Sequence, residues 1–318
     1  MKEIVKDIVV KSLAKSIGTS LWILRIMAPV SLAVKVLWFF GVVDILAQWL
    51  EPLMHFVGLP GHSAIVVITG GLVGTHAGLA ALVSMPFTLR EATIITVMIC
   101  LCHALILEGA VVKKIGPPFA KTVSIRIVAA FMAAWALSHL LPAMSEPFAS
   151  GMATGAARPA EITWVAFGHA MADAAMSILQ LAVMILAIMF LLILLKNVLT
   201  KTGLMDTCIK PFKPLMAVFG LSGESSYLWL VGNIVGLSYG AGVLKECIDE
   251  GRITQEEARA ASYHLIMSHS IIDDTLSFAA FGVPGLWIVP PRLVMAIGLV
   301  WGRKFVKKYR QRTSMSLQ

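Results

Sequence analysis

Apolar residues in this chain run in long blocks separated by short polar stretches; they do not alternate, and they do not recur as a stripe at helical spacing. A helix needs roughly 20 apolar residues to cross the ~30 Å hydrocarbon layer of a bilayer. Blocks approaching that length lie at about 21–41, 63–85, 91–111 and 123–142, and again at about 178–196, 225–245, 258–280 and 286–302. The run from Ile178 to Leu195 is broken only by Gln180. The first twenty residues differ. Lys2, Lys6, Lys11 and Lys15 recur at helical spacing with Ile4, Ile8, Leu13 and Ile17 between them, which predicts an amphipathic helix lying on an anionic leaflet. No small-residue cleavage site follows, so a secretory signal is not expected.

The two sets of four blocks are copies. Pro52-Leu53-Met54 with Gly58-Leu59-Pro60-Gly61 returns 162 positions later as Pro214-Leu215-Met216 with Gly220-Leu221-Ser222-Gly223. Downstream, Thr88, Glu91, His103 and Glu108 align with Thr254, Glu257, His269 and Asp274, each 166 positions on. A spacing held over this length marks a repeated unit. We divide the chain into repeat 1 (1–142), a linker rich in Ala, Gly and Pro (143–160) and repeat 2 (161–318).

Composition sharpens the picture. Hydrophobic residues are 58% and charged residues only 14%, against about 25% charged in a soluble domain. Too little polar side chain is present to cover a water-facing surface, so the chain is expected to be an integral membrane protein. The net charge of +8 is then explained by orientation in the bilayer, and nucleic-acid binding is not expected, because no soluble domain could host it. Cys100, Cys102, Cys208 and Cys247 show no metal-type spacing.

Charge also orders the crossings. The segment 42–62 carries no Lys or Arg, whereas its counterpart carries Lys196, Lys201, Lys210 and Lys213. By the positive-inside bias the two copies enter from opposite sides. Inverted copies need an odd number of crossings each, so one block of each four must dip in and return. The second block is the candidate, being interrupted by Gly70, Gly71 and Gly74 in one copy and by Gly232, Gly236 and Gly240 in the other. The expected fold is all-α: two inverted repeats, about six transmembrane helices, two re-entrant hairpins, and interfacial amphipathic helices at the Pro-Leu-Met stretches. Lys113, Lys114, Lys121 and Arg126, and the basic run from Arg303 to Arg312, then lie inside, and the linker lies outside. The expected location is a bacterial cytoplasmic membrane with both termini in the cytoplasm.

Ionisable groups at membrane depth are costly and ask for a role. They gather on the third block of each copy: His103 and Glu108, then His269, Asp273 and Asp274. On an unbroken helix a spacing of five puts His103 and Glu108 about 140° apart, whereas His269 and Asp273 share a face. His103 is also readable as a buried imidazole bonded to a nearby carbonyl, and Glu108 as a salt bridge to Lys113. Arg25 and Lys35 are expected to snorkel along the first helix. At the hairpin turns, Thr69, Gly70, Gly71, Gly74, Thr75 and His76, and Asn233, Ser238 and Tyr239, offer hydroxyls, an amide and freed backbone groups to a polar solute. Caps on half-helices are the plainer use of the same residues.

Pro-Leu-Met, Gly-Leu-x-Gly, a Gly-rich broken segment and a following His/acid helix together resemble the nucleoside-recognition, or Gate, domain family. That family includes concentrative nucleoside transporters, the membrane part of ferrous-iron permeases and spore-maturation-type membrane proteins. The resemblance covers 50–112 and 212–282. It implies an inverted-repeat transport core with a solute between hairpin tips, and by position it picks out Gly70, Gly71, Gly74, His103, Asn233, Ser238, His269 and Asp274. The GTPase domain of an iron permease and the Glu-bearing nucleoside-contact motifs are both missing.

The leading expectation is a secondary transporter, not an enzyme, for a small polar solute, with a nucleoside-like molecule as one candidate cargo. His103, His269, Asp273 and Asp274 would bind a coupling cation or proton, with no other cofactor. The alternatives are a divalent-metal permease using His76, His103, His269, Asp273 and Asp274 as ligands, and a non-transporting membrane scaffold. A homo-oligomer is compatible with each.

Overall fold

The structure, a computed structural model, describes residues 2–115, 117–148, 162–202, 213–223, 225–234, 237, 244 and 247–315. Ser238, Tyr239, Gly236 and Gly240 lie outside the described residues. Helices account for the elements that follow. The first unit has α1 (Lys2–Phe39), α2 (Val42–His55), α3 (Ser63–Val73), α4 (Thr75–Val83), α5 (Leu89–Cys102), α6 (Leu105–Lys113) and α7 (Phe119–Leu140). The second has α8 (Trp164–Lys201), α9 (Lys213–Val218), α10 (Ser225–Ile234), α11 (Gln255–Ser268), α12 (Ile271–Ala279) and α13 (Gly285–Met315).

Among the described residues, five stretches are long and apolar enough to cross a membrane: Ile8–Phe39, Leu89–Lys113, Phe119–Leu140, Trp164–Leu195 and Gly285–Thr313. Large apolar side chains on them face outward, including Trp22, Val128, Trp164, Leu179 and Val183, as a lipid-facing surface requires. The chain is therefore a helical membrane protein. Block 258–280, expected as a further crossing, is not among the five. Its α11 opens with Gln255, Glu256 and Glu257 and carries Arg259, Ser262, His264 and Ser268, so its composition is too polar.

The amphipathic N-terminal stretch is not a separate helix, because α1 runs without a break from Lys2 to Phe39. It packs along α8 in the opposite direction. Asn197 Nδ2 donates to Ser12 Oγ over 2.8 Å near one end, and Phe39 meets Phe167 edge-on at 5.3 Å near the other. Lys35, expected to snorkel, is buried, with its ammonium 4.8 Å from the Trp38 ring; Arg25 is exposed.

Repeated sequence is matched by repeated local structure. Helix α2 stops in a Schellman turn, in which Gly58 at φ 72° lets Leu59 N reach Met54 O at 3.0 Å. Helix α9 stops the same way, with Gly220 at φ 72° and Leu221 N on Met216 O at 2.7 Å. Helices α5 and α11 both begin in capping boxes, Thr88 with Glu91 and Thr254 with Glu257. A lost N-cap costs about 1 kcal/mol. Thr88→Ala and Thr254→Ala should therefore each lower the thermal midpoint in detergent slightly and by similar amounts. Unequal losses would show that one box carries more than a cap.

The second block bends back on itself. Gly74, at φ 141° and ψ 174°, separates α3 from α4. This backbone conformation is essentially restricted to glycine. Gly78 of α4 lies against Gly70 of α3, since a side chain on Gly78 would meet the Gly70 Cα at 3.0 Å. Eleven and nine residues give half-helices of about 16 and 14 Å, each about half the length a crossing needs. The third block is broken too, which the sequence reading did not expect. Helix α5 ends at His103 in an extended conformation, and Ala104 follows in the left-handed region at φ 44°. Its partner breaks identically, with His269 extended and Ser270 at φ 53°.

Candidate functional site

The two broken helices bring together side chains that an unbroken helix would keep apart. His103 Nε2 lies 3.2 Å from Glu108 Oε1, because the left-handed turn at Ala104 re-aims the chain between them. The same atom lies 3.0 Å from His269 Nε2, the equivalent atom of the second unit. His269 Nε2 is also 3.0 Å from Glu108 Oε1. Both imidazoles are buried, and Glu108 is largely so. The cluster sits where the two units meet.

Each break is held by the same four contacts. The amide of Ala104 donates to Gly70 O over 3.0 Å, and that of Ser270 lies 3.5 Å from Gly232 O. Gly70 of the first hairpin and Gly232 of α10 thus each stand at a break. His103 Nδ1 lies 3.1 Å from Ile99 O, and His269 Nδ1 lies 2.8 Å from Leu265 O. An arginine on the following helix completes each set. Arg126 Nε donates to Leu101 O at 2.8 Å and its Nη1 to Glu108 Oε2 at 2.6 Å. Arg292 Nε donates to Met267 O at 3.3 Å, its Nη2 to His269 O, and its Nη1 pairs with Asp274 Oδ2 at 3.0 Å. Arg126, Arg292, Leu101 and Met267 obey the same 166-residue spacing.

The sequence expectations need three corrections. Glu108 does not bridge to Lys113; it binds Arg126 and both histidines. Arg126, grouped with Lys113, Lys114 and Lys121 as an inside charge, is fully buried and paired with Glu108. His269 and Asp273 do not form an i,i+4 pair, because Ser270 ends the helix between them. Instead Asp273 lies in the first turn of α12, near His76 of the first hairpin.

Of the expected hairpin residues, Gly70 and Gly71 are buried beside the break, where Gly71 packs near Cys102 O and Leu105. Gly74 forms the turn, Thr75 begins α4 and is buried, and Thr69 and His76 are partly buried. Asn233 is buried in the second unit, giving Nδ2 to Trp229 O at 2.9 Å and lying 3.4 Å from Ile271 N through Oδ1. Of the five residues named for a metal, His103 and His269 converge with Glu108. Asp274 is engaged by Arg292 instead. Sequence reasoning missed Arg126 and Arg292 as site residues, although carrying the 166-residue offset 18 positions beyond Glu108 and Asp274 would have found them.

Residues 20–119 match the Gate family, described as nucleoside recognition. Across 303 residues the chain is 26% identical to the uncharacterized membrane protein YvoD of Bacillus subtilis strain 168, covering 93% of this chain and 96% of that protein. No solved structure matches the chain significantly. The protein is thus a membrane protein in which residues 20–119 match the Gate family, described as nucleoside recognition.

Proposed function

We propose that the protein is a secondary transporter for a small polar solute, working by alternating access between two inverted units. The observation that carries this reading is the meeting of His103 with His269, the same residue of each copy, at 3.0 Å in a buried polar cluster. Supporting it are the antiparallel packing of α1 on α8 and the half-length helices of the first hairpin. Discontinuous helices whose freed backbone groups face a shared centre are the means by which transporters hold solutes and ions.

Under this reading the hairpin α3–α4 is re-entrant, its turn reaching the break at Ala104 midway along the crossing α5–α6. The cargo contacts are Thr69, Gly70, Gly71, Gly74, Thr75 and His76 from one hairpin and Asn233, Ser238 and Tyr239 from the other. The Gate description favours a nucleoside-like cargo. His103, His269, Asp273 and Asp274, joined by Glu108, Arg126 and Arg292, form the coupling site for a cation or proton. Both termini lie in the cytoplasm.

The reading is tested by reconstituting the full chain in liposomes and following uptake of labelled nucleosides under an imposed proton or cation gradient. Gradient-driven accumulation is expected in the wild type and its loss in Asp273→Asn, with binding retained as a ligand-induced rise in thermal midpoint. Wild-type liposomes that exchange no nucleoside, amino acid or ion faster than empty ones would remove the transport reading.

A further inference from the structure

The atoms at the centre of the cluster are three acceptors with no donor among them. A carbonyl oxygen can only accept, so Ile99 O and Leu265 O place the ring hydrogen of each imidazole on Nδ1. The Nε2 atoms of the neutral rings are then bare lone pairs, aimed at one another across 3.0 Å. Glu108 Oε1, a carboxylate oxygen, stands 3.0 and 3.2 Å from them. Arg126 does not relieve this contact, because its guanidinium binds the other oxygen, Oε2. Three lone-pair atoms held this close in a buried site repel one another unless positive charge lies between them. A single proton on one ring would still leave one acceptor facing another.

The hydrogen bonds that would orient these three atoms as ligands are already in place. Metal-bound histidines regularly give their other N–H to a backbone carbonyl, and ligating carboxylates are themselves hydrogen-bonded. Both imidazoles and Glu108 meet that description before any ion is considered.

We propose that His103 Nε2, His269 Nε2 and Glu108 Oε1 bind one divalent transition-metal ion at the junction of the two units. An ion at ~2.0–2.2 Å from each ligand atom would sit roughly 1 Å out of their plane, leaving further coordination positions for water or a solute group. Two imidazoles and a carboxylate suit zinc, iron(II) or cobalt(II) better than calcium or magnesium. Asymmetry between the copies supplies the third ligand. Glu108 has one methylene more than its counterpart Asp274, and it reaches the histidine pair while Asp274 stays with Arg292. Because the ligands come from both units, the ion would fasten the units in this arrangement. This names the coupling ion of the transport reading and uses the same cluster, so its test reads binding instead of uptake.

The full-length protein, purified in detergent and stripped with a chelator, is titrated with Zn²⁺ and separately with Co²⁺. One equivalent of Zn²⁺ is expected to bind and raise the thermal midpoint, and Co²⁺ to give the visible absorption of a low-symmetry site. His103→Gln, His269→Gln and Glu108→Gln should each abolish the saturable signal, whereas His264→Gln, a buried histidine outside the cluster, should keep it. Arg126→Lys, which disturbs the support of Glu108, should weaken binding by about 10–100-fold. Wild-type protein that binds neither ion, or retention of the signal in the His103→Gln/His269→Gln double variant, overturns the proposal. Wild-type protein that binds neither ion yet still accumulates solute along a gradient overturns the metal site and leaves the transport reading standing.

Discussion

Arg292→Ala is expected to be among the most destabilising single changes in this chain, at about 3–5 kcal/mol, with Arg126→Ala close to it. Both arginines are fully buried. Removing Arg292 leaves Asp274 as an uncompensated carboxylate and strips the donors from Met267 O and His269 O. Removing Arg126 does the same to Glu108 and Leu101 O. Arg292→Lys should recover only part of the loss, because an ammonium cannot serve two carbonyls and a carboxylate in the planar geometry of a guanidinium. Arg292→Met combined with Asp274→Leu should recover more, since no lone charge then remains buried. The check is the thermal midpoint of purified variants in detergent. Lys307→Ala, which removes an exposed pair with Glu256, serves as the comparison. If Arg292→Ala melts with Lys307→Ala, the arginines are not the posts on which the two breaks rest.

How far this centre could be read beforehand depended on the kind of signal each residue leaves. The Schellman glycines Gly58 and Gly220 and the capping-box pairs Thr88/Glu91 and Thr254/Glu257 are local chemistry, and the repeat already contained all of them. The break at Gly74 was legible for the same reason, since glycine at mid-block is a local signal. The breaks at Ala104 and Ser270 were not. Neither residue is a helix breaker by propensity, and the left-handed turn is imposed from outside. Gly70 O takes the Ala104 amide, Gly232 O stands near that of Ser270, and the arginines take carbonyls that the helix would otherwise use. These are tertiary partners, and a pattern of spacing along one helix cannot register them. Reading His103 and Glu108 on a continuous helix therefore separated two groups that the fold puts in contact. The identity of Arg126 misled for a related reason. Following Lys113, Lys114 and Lys121, it reads as the last of a basic flank, and only its partner Arg292, placed well inside an apolar block, marks it as a buried residue.

The second large effect is expected at the hairpin, from Gly78→Val. A side chain at Gly78 would stand 2.9 Å from Ile99 Cδ1 and 3.0 Å from the Gly70 Cα. Ile99 is fully buried and packed, and Gly70 offers backbone, so neither contact is relieved by a flexible side-chain end. Overpacking of this kind costs about 1–3 kcal/mol, and here the upper end is expected. The route by which it acts is specific. Driving α4 from α3 displaces Gly70, whose carbonyl holds the Ala104 amide, and with it the turn that aims His103 at His269. Gly74→Ala offers a separate measure, because its side chain meets nothing within 4 Å and acts only through the φ of 141°, at about 1–3 kcal/mol. Gly18→Ala, also free of contacts but inside a helix, should be neutral or stabilise by about 0.5–1 kcal/mol. Thermal midpoints order the three, and a cysteine pair placed across Gly70 and Ala104 reports whether the hairpin has moved. If Gly78→Val melts like Gly18→Ala, the close approach of the two half-helices does not support the centre. If it melts early with the Gly70–Ala104 distance unchanged, the hairpin stabilises the fold without setting the histidine geometry.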